Sequence, residues 1–410
     1  MSVDVAVTAP GTAPVLRWGV AGLGRAFTLM LPTFVRDPRV RLAAAADPRP
    51  EARDRFVAEF GARAHASVDA LCRDAGVDVV YVATPHGLHA EHAVLAARNG
   101  KHVLVEKPMA LSLAECTHMI EAAQAAGVQL CVGHSHSYDA PIRRTHEIID
   151  SGAFGAVRMI QALYYTDFLY RPRRPEELDT ARGGGAVWNQ AAHQVDIVRL
   201  LGGGRVARVR GLTGNWDPDR NTEGAYAALL TFDDGAFASL TYNGYGLFDS
   251  DEWCAWTSEL GMPKDASGHG ATRRGLQRLA EPAAELALKH ARNYGGSAYR
   301  PSAGEPRTHE HFGTFIVSCD GADLRPMPDG VMIYEGRGAR FEALPPPAIP
   351  RHEVIDEMHD AIATGTPALH DGLWARATLE ACAAMLESAR TGQDIRLVHQ
   401  VAAPKGAAPA

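Results

Sequence analysis

Five short apolar runs, LRWGVAGLG, VRLAAAADP, VDVVYVATP, KHVLVEKP and VQLCVGHSH, recur between residues 16 and 136, with a helical stretch between each and the next. They are apolar throughout rather than alternating, a pattern a strand tolerates only when both of its faces are covered. Residues 16–136 therefore form a doubly wound α/β domain on a parallel sheet. Ligands of such sheets collect at the carboxyl ends of the strands, so the residues that close each run carry the functional argument.

From about residue 155 the rhythm changes to longer strands with fewer helices: AVRMIQALYYTDF, RVARVRGLTGNW, GAYAALLTFDDGAFASLTYNGYG, GTFIVSC and GVMIYEG. The Asp-Gly in TFDDGAF is the turn expected between antiparallel strands. Residues 137–400 are thus expected to form an α+β domain on a large, mostly antiparallel sheet with one open face. Residues about 249–307 read as an insertion with a helix near LQRLAEPAAELALKHARN. Residues 1–15 and 401–410 have the Ala/Pro/Gly composition of loose tails.

Composition excludes several partners. A net charge of −7 spread without a basic block offers no footprint for nucleic acid. MSVDVAVTAPGTAPV has neither a basic leader nor an apolar core, and no stretch approaches the roughly 20 apolar residues of a membrane span. Six scattered cysteines without a CxxC pair suit a reducing compartment, so the cytoplasm is expected. An open sheet face would leave apolar surface in water, and burial in a homodimer or homotetramer is expected.

GVAGLGRAF follows the first strand and opens a helix. Gly22 permits the tight turn and Gly24 lets backbone approach a pyrophosphate seated on helix amides. The motif is broken at its sixth position, Phe27, and alone could be a plain strand-to-helix turn. Asp47 ends the second run, where a carboxylate accepts hydrogen bonds from ribose hydroxyls and repels a 2′-phosphate. This favours NAD; Arg49 beside it leaves room for NADP.

Three further patterns stand in order: T-P-x-x-x-H at 84–89, E-K-P at 106–108, and GGGAVWNQAAH at 183–193. Together with the glycine turn and Asp47 they resemble the Gfo/Idh/MocA oxidoreductases across nearly the whole chain. The resemblance implies a dinucleotide-binding domain followed by an open-sheet domain. It assigns to the cofactor Gly22, Leu23, Gly24, Arg25, Ala26, Asp47, Arg49, Thr84, Pro85, His86, His89, Glu106 and Lys107. It also implies a catalytic group of Lys107, His193 and Asn189, the last standing where family members commonly have Asp. Asn189 and His193, four apart on a helix, share one face. Asn cannot take a proton, so base catalysis would fall to His193 or Lys107, with Asn189 fixing the hydroxyl.

TDFLYRPRRPEELD, residues 166–179, precedes the glycine run. Arg171 and Arg174 are expected to bind substrate carboxylates, whereas Arg173 reads as a surface residue paired with Glu176, Glu177 or Asp179. This loop, Gln190 in NQAAHQ, and DLRPMPDGVMIYEG resemble the phthalate dihydrodiol dehydrogenase branch. That branch implies NAD-dependent oxidation of cis-4,5-dihydro-4,5-dihydroxyphthalate, an aromatic-derived dicarboxylate. In GHSHSYDAPI, His134, His136 and Tyr138 are expected to meet substrate; no third ligand stands at a recognisable spacing, so no metal is expected. THEH at 308–311 reads as a polar lead into a strand. The rival readings are a sugar or inositol-type polyol dehydrogenase, an NAD-assisted glycoside hydrolase, and a non-catalytic NAD-binding regulator.

Overall fold

The computed structural model describes residues 14–279, 282–301 and 306–404. The tails expected at 1–15 and 401–410 lie mostly outside the described residues. Two of the described residues at 401–404 are tied down: Ala403 N–H donates to the Gly203 carbonyl at 2.9 Å, and Val401 and Ala403 rest on the core, while Ala402 and Pro404 are exposed.

The first domain is built on β1 (Leu16–Ala21), β2 (Val40–Ala46), β3 (Arg63–His65), β4 (Val79–Val82), β5 (His102–Val105) and β6 (Leu130–Val132). All pair in parallel, in the order β3-β2-β1-β4-β5-β6. Every residue of β4 and all but the first of β5 are buried, which is why these runs carry no polar alternation. Strand order reverses between β1 and β4, and this is where a crevice opens. The edge strand β3 is only Arg-Ala-His and has no apolar run to announce it.

The second sheet has nine strands: β7 (Val157–Tyr165), β8 (Val206–Gly214), β9 (Ala225–Phe232), β10 (Phe237–Asn243), β11 (Thr314–Cys319), β12 (Ala322–Met327), β13 (Gly330–Glu335), β14 (Gly338–Ala343) and β15 (Ile395–Arg396). Their order is β14-β13-β12-β11-β7-β10-β9-β8-β15, antiparallel except for the β7–β10 pair. The Asp-Gly turn joins β9 to β10 as expected, with Gly235 at φ +92°. β12, β14 and β15 were not legible as strands. β12 contains Pro326, β14 is almost wholly exposed, and β15 is two residues long.

One sheet face is covered by helices, among them Ala192–Leu201 and Gly372–Thr391. The other leaves Met159, Leu212, Leu229, Phe237 and Ile316 exposed. Among the described residues no helix is long and apolar enough to cross a membrane, and all six cysteines are free.

Two later segments return to the first domain. The helix His352–Thr364 sends Val354, Ile355 and Met358 into one core with Trp18, Phe34 and Tyr81. Tyr294 and Tyr299 from the insertion join that core. The single helix expected over 276–293 is two, Ala271–Gln277 and Pro282–Arg292. The second opens on Pro282, a residue suited to the first turn of a helix.

Candidate active site

The carboxyl ends of β1, β2, β4, β5 and β6 bring the predicted residues to one edge. Gly22 has φ +96°, and a Cβ there would lie 2.7 Å from the Ala83 carbonyl oxygen, so glycine is required. At Gly24 nothing lies within 4 Å of a would-be Cβ, and the helix Arg25–Arg36 starts there without a side-chain cap. That open backbone and its helix amides fit a pyrophosphate. Asp47 is buried and accepts the Leu23 N–H at 2.8 Å and the Arg49 N–H and Nε at 2.9 and 3.0 Å. Arg25 is exposed on the first helical turn and Ala26 half-buried beside it. Phe27, at the broken position, meets Tyr294 edge-on with ring centroids 5.1 Å apart. An aromatic contact to the insertion thus takes the place of the usual small residue.

Thr84 and Pro85 lead out of β4, with Thr84 Oγ1 3.0 Å from His92 Nδ1. His86 Nδ1 lies 3.3 Å from the Gly183 carbonyl, and burial pushes its pKa down to about 3. His89, expected at the cofactor, is fully buried with its ring nitrogens 2.9 Å from the Thr84 and Pro108 carbonyls. It is a strut between β4 and the turn after Lys107. Glu106 accepts a short hydrogen bond from the Tyr81 hydroxyl, and burial raises its pKa.

Lys107 Nζ donates to the Asn189 main-chain carbonyl at 2.8 Å. Burial pushes the lysine down to about 8; Glu106 and Glu259 pull it up, while Arg173 and Arg351 press it further down. Asn189 departs from expectation. Its Nδ2 donates to the carbonyls of Gly183 (3.3 Å) and Gly185 (2.8 Å), so its amide donors tie down the glycine run. The segment Val187–Ala191 is a π-helix that passes into the α-helix Ala192–Leu201, a widened turn of the kind found at functional sites. Burial, then the charges of Lys107 and His136, hold His193 well below its usual pKa, and its buried Nδ1 has no hydrogen-bond partner. Gln190 accepts from the Tyr242 hydroxyl at 3.3 Å.

His136 Nδ1 is 2.8 Å from Asp139, and its ring lies 4.8 Å from that of His193. Burial opposes its charge, but Asp139 and Glu259 raise it to about 9, so it is an imidazolium at neutral pH. His134 Nε2 is 3.3 Å from the same Asp139. Glu310, from the THEH stretch read as a polar lead, faces both histidines, the three groups offering ligand atoms within 4.8 Å of one another. Arg351 pairs with both Glu310 oxygens at 2.8 and 3.0 Å, so that carboxylate already has its cation. Tyr138, expected at substrate, is in the core: its hydroxyl donates to the Val132 carbonyl and its ring stacks on His370 at 3.7 Å. Sequence reasoning missed Glu259 and Arg351. The first lies in the insertion and the second caps a helix at φ +54°, and neither belongs to a motif.

The arginine loop reverses two assignments. Arg174 pairs with Glu176 at 3.1 Å and Glu177 at 3.6 Å, the surface role expected of Arg173. Arg173 instead stacks over Phe168 at 3.7 Å, donates from Nη2 to the Phe168 carbonyl at 2.7 Å, and among the described residues makes no ion pair. Burial pushes it down to about 10. Arg171 pairs with Glu259 at 3.2 Å. The insertion clasps this loop: Glu285 accepts the Arg173 N–H at 2.6 Å and Arg220 Nη1 at 2.8 Å, and Lys289 pairs with Glu177. Its other end reaches the edge beside Asp47, where the Tyr294 carbonyl accepts from Arg49 at 3.2 Å and its hydroxyl donates to Glu59 at 2.8 Å.

A doubly wound sheet with a phosphate-fitting turn, a buried carboxylate at the end of its second strand and a lysine at the end of its fifth is the architecture of an NAD(P)-dependent dehydrogenase. Residues 16–134 match the oxidoreductase family with an NAD-binding Rossmann fold, and residues 142–253 match the GFO/IDH/MocA C-terminal domain. The chain belongs to the Gfo/Idh/MocA oxidoreductase family. It is 48% identical over 377 residues, 92% of this chain and 95% of the relative, to 1-carboxy-3-chloro-3,4-dihydroxycyclohexa-1,5-diene dehydrogenase of Comamonas testosteroni. Trans-1,2-dihydrobenzene-1,2-diol dehydrogenase of Macaca fascicularis is 27% identical over 65% of this chain and 75% of its own length. A dehydrogenase candidate from Bordetella bronchiseptica RB50 superposes with a TM-score of 0.88 at 42% identity, over 93% of this chain and all of that one.

Proposed function

We propose that this enzyme oxidises a carboxylated cis-dihydroxycyclohexadiene to the corresponding catechol carboxylate with NAD⁺, in the cytoplasm, and that cis-4,5-dihydro-4,5-dihydroxyphthalate is its substrate. The observation that carries the reading is Arg173, a guanidinium stacked on Phe168 that makes no direct carboxylate ion pair among the described residues. Glu177 supports its charge from further off, and the guanidinium is near enough to Lys107 to press on the lysine's ionisation. A substrate carboxylate is the ligand such a group suits. The 48% identical relative, named as a dehydrogenase of a carboxylated dihydroxycyclohexadiene, supports the same chemistry.

The nicotinamide would accept hydride from the carbinol carbon. Lys107, at a pKa of about 8, takes the hydroxyl proton. The Asn189 carbonyl aims the ammonium, and neutral His193 offers a hydrogen bond without competing as base, since it resists protonation. The ketone so formed tautomerises to an aromatic ring, which pulls the reaction toward NADH. A first carboxylate would sit on Arg173, and a second beside imidazolium His136 or on Arg171, drawn from Glu259. Asp47 would take the ribose hydroxyls and favour NAD over NADP.

The exposed sheet face bearing Leu212, Leu229 and Phe237 would be covered by a second copy, in a homodimer or homotetramer. The functional test is NADH absorbance with NAD⁺ and the phthalate 4,5-cis-dihydrodiol, a monocarboxylated cis-dihydrodiol, or myo-inositol at equal concentration. NADH from the dicarboxylate alone supports the full reading, and NADH from the monocarboxylate alone restricts it to one arginine. Turnover of inositol alone discards the carboxylate.

A further inference from the structure

A chain of buried polar groups that the hydride chemistry does not use runs from behind Lys107 to the far surface. A cavity of about 30 Å³ lies behind the lysine, lined by Lys107, Ser135, Asp196 and His370 among apolar groups. It has room for roughly one water, and Ser135 Oγ, buried there with no hydrogen-bond partner, is the polar group such a water satisfies. Asp196 accepts the Ser137 hydroxyl on one oxygen, and Trp374 Nε1 (2.6 Å) and Thr378 Oγ1 (2.7 Å) on the other. Ser137 Oγ is 2.7 Å from His370 Nε2, and His370 Nδ1 is 3.0 Å from Glu357 Oε2. Glu357 lines a surface groove of about 850 Å³ with Arg143 and Glu353. Ser137 and His370 are 0% and 2% exposed, so the chain is dry between its ends.

We propose that Asp196, Ser137, His370 and Glu357 form a proton relay that carries the proton taken by Lys107 to solvent while substrate and cofactor fill the cleft. The proposal rests on the reading of Lys107 as the acid–base group. The substrate O–H breaks and Lys107 gains the proton. One proton then passes through the cavity to Asp196. The Ser137 hydroxyl, which donates to Asp196 while that group is a carboxylate, turns to give its proton to His370 Nε2 as it takes the proton of Asp196. His370 releases its Nδ1 proton to Glu357 and the groove. The hydride goes to the nicotinamide, so no further oxidant or reductant is needed. A lysine with this exit need not wait for product release to discharge its proton.

The test compares Ser137→Ala, Glu357→Gln and Lys107→Ala with the wild type, each first checked to keep the wild-type melting temperature. Glu357→Gln, at the outer end, keeps the test open if the buried Ser137→Ala does not fold. Steady-state oxidation of the dihydrodiol in H₂O and D₂O is the readout. The relay predicts a fall in kcat of about tenfold in both relay variants, an enlarged solvent isotope effect on kcat, and unchanged KM for NAD⁺ and substrate. A purely structural network would move stability or KM and leave the isotope effect alone. If Lys107→Ala is inactive while both relay variants stay within twofold of the wild type with an unaltered isotope effect, the relay is wrong and the lysine reading stands. If Lys107→Ala keeps wild-type kcat, the lysine reading falls and the relay with it.

Discussion

The Lys107 ammonium is 2.8 Å from the main-chain carbonyl of Asn189. A lysine at the end of β5 in the first domain is thereby aimed by a π-helical turn in the second, Val187–Ala191. Either domain alone would leave the lysine undirected.

Replacing Lys107 by Ala should lower kcat roughly 10²- to 10⁴-fold while the affinity for NAD⁺, measured by fluorescence titration, stays within a few-fold of wild type. Parallel loss of both would mean that the lysine shapes the cofactor site instead.

The pH dependence follows from the sign of the shift. Lys107 must be neutral to accept a proton, and burial sets its pKa at about 8. Log kcat/KM for oxidation should therefore climb with pH, with a slope near one, and level off above about 8. Bound NAD⁺, being cationic at the ring, should move the break in kcat lower still. A flat profile between pH 6 and 9 would remove the lysine from the proton step.

Arg173 and Arg174 should part company. Losing a charge-assisted pair costs about 1.5–3 kcal/mol, so Arg173→Gln should raise KM for a carboxylated dihydrodiol roughly 10- to 150-fold. Arg174→Gln, already paired with Glu176 and Glu177, should change it no more than about fivefold, since partly exposed ion pairs are worth about 0–1 kcal/mol. The opposite ranking in initial-rate assays would return the carboxylate to Arg174.

Asp47→Ala should raise KM for NAD⁺ by a factor of about 10 or more and improve use of NADP⁺, because the carboxylate that repels a 2′-phosphate is gone while Arg49 is released to meet it. Cofactor kinetics in which NADP⁺ remains as poor as before would show that Asp47 does not set the preference.

On the open face, Leu229→Arg places a charge in the centre of the exposed apolar strip, at a residue 53% exposed. Light scattering on the eluting protein should give a dimer or tetramer mass for the wild type and a smaller species for the variant, with little change in melting temperature. An unchanged mass would put the interface elsewhere.

The sequence was most legible where one physical constraint acts on neighbouring residues. Doubly buried strands announce themselves as apolar runs, and Gly22, Asp47 and Lys107 each close such a run, so all three could be placed from sequence. The Arg173 and Arg174 exchange could not, since adjacent arginines in a proline-spaced loop differ only in which one turns inward to Phe168. Glu259, Glu310 and Arg351 reach the site from segments far along the chain and exist as a group only after folding. Tyr138 and His89 erred the other way: strand-end polar residues read as ligand contacts, but their hydrogen bonds go to main-chain carbonyls in the core.

The insertion grips the arginine loop through Glu285 and Lys289 and the edge beside Asp47 through Tyr294. On the proposed reading, a change made to admit a new ring substituent would fall first on that loop, and a shift there would reach the Asp47 edge through the helix Pro282–Arg292. Substrate range and cofactor fit would then move together, and altering one would call for re-tuning the segment that joins them.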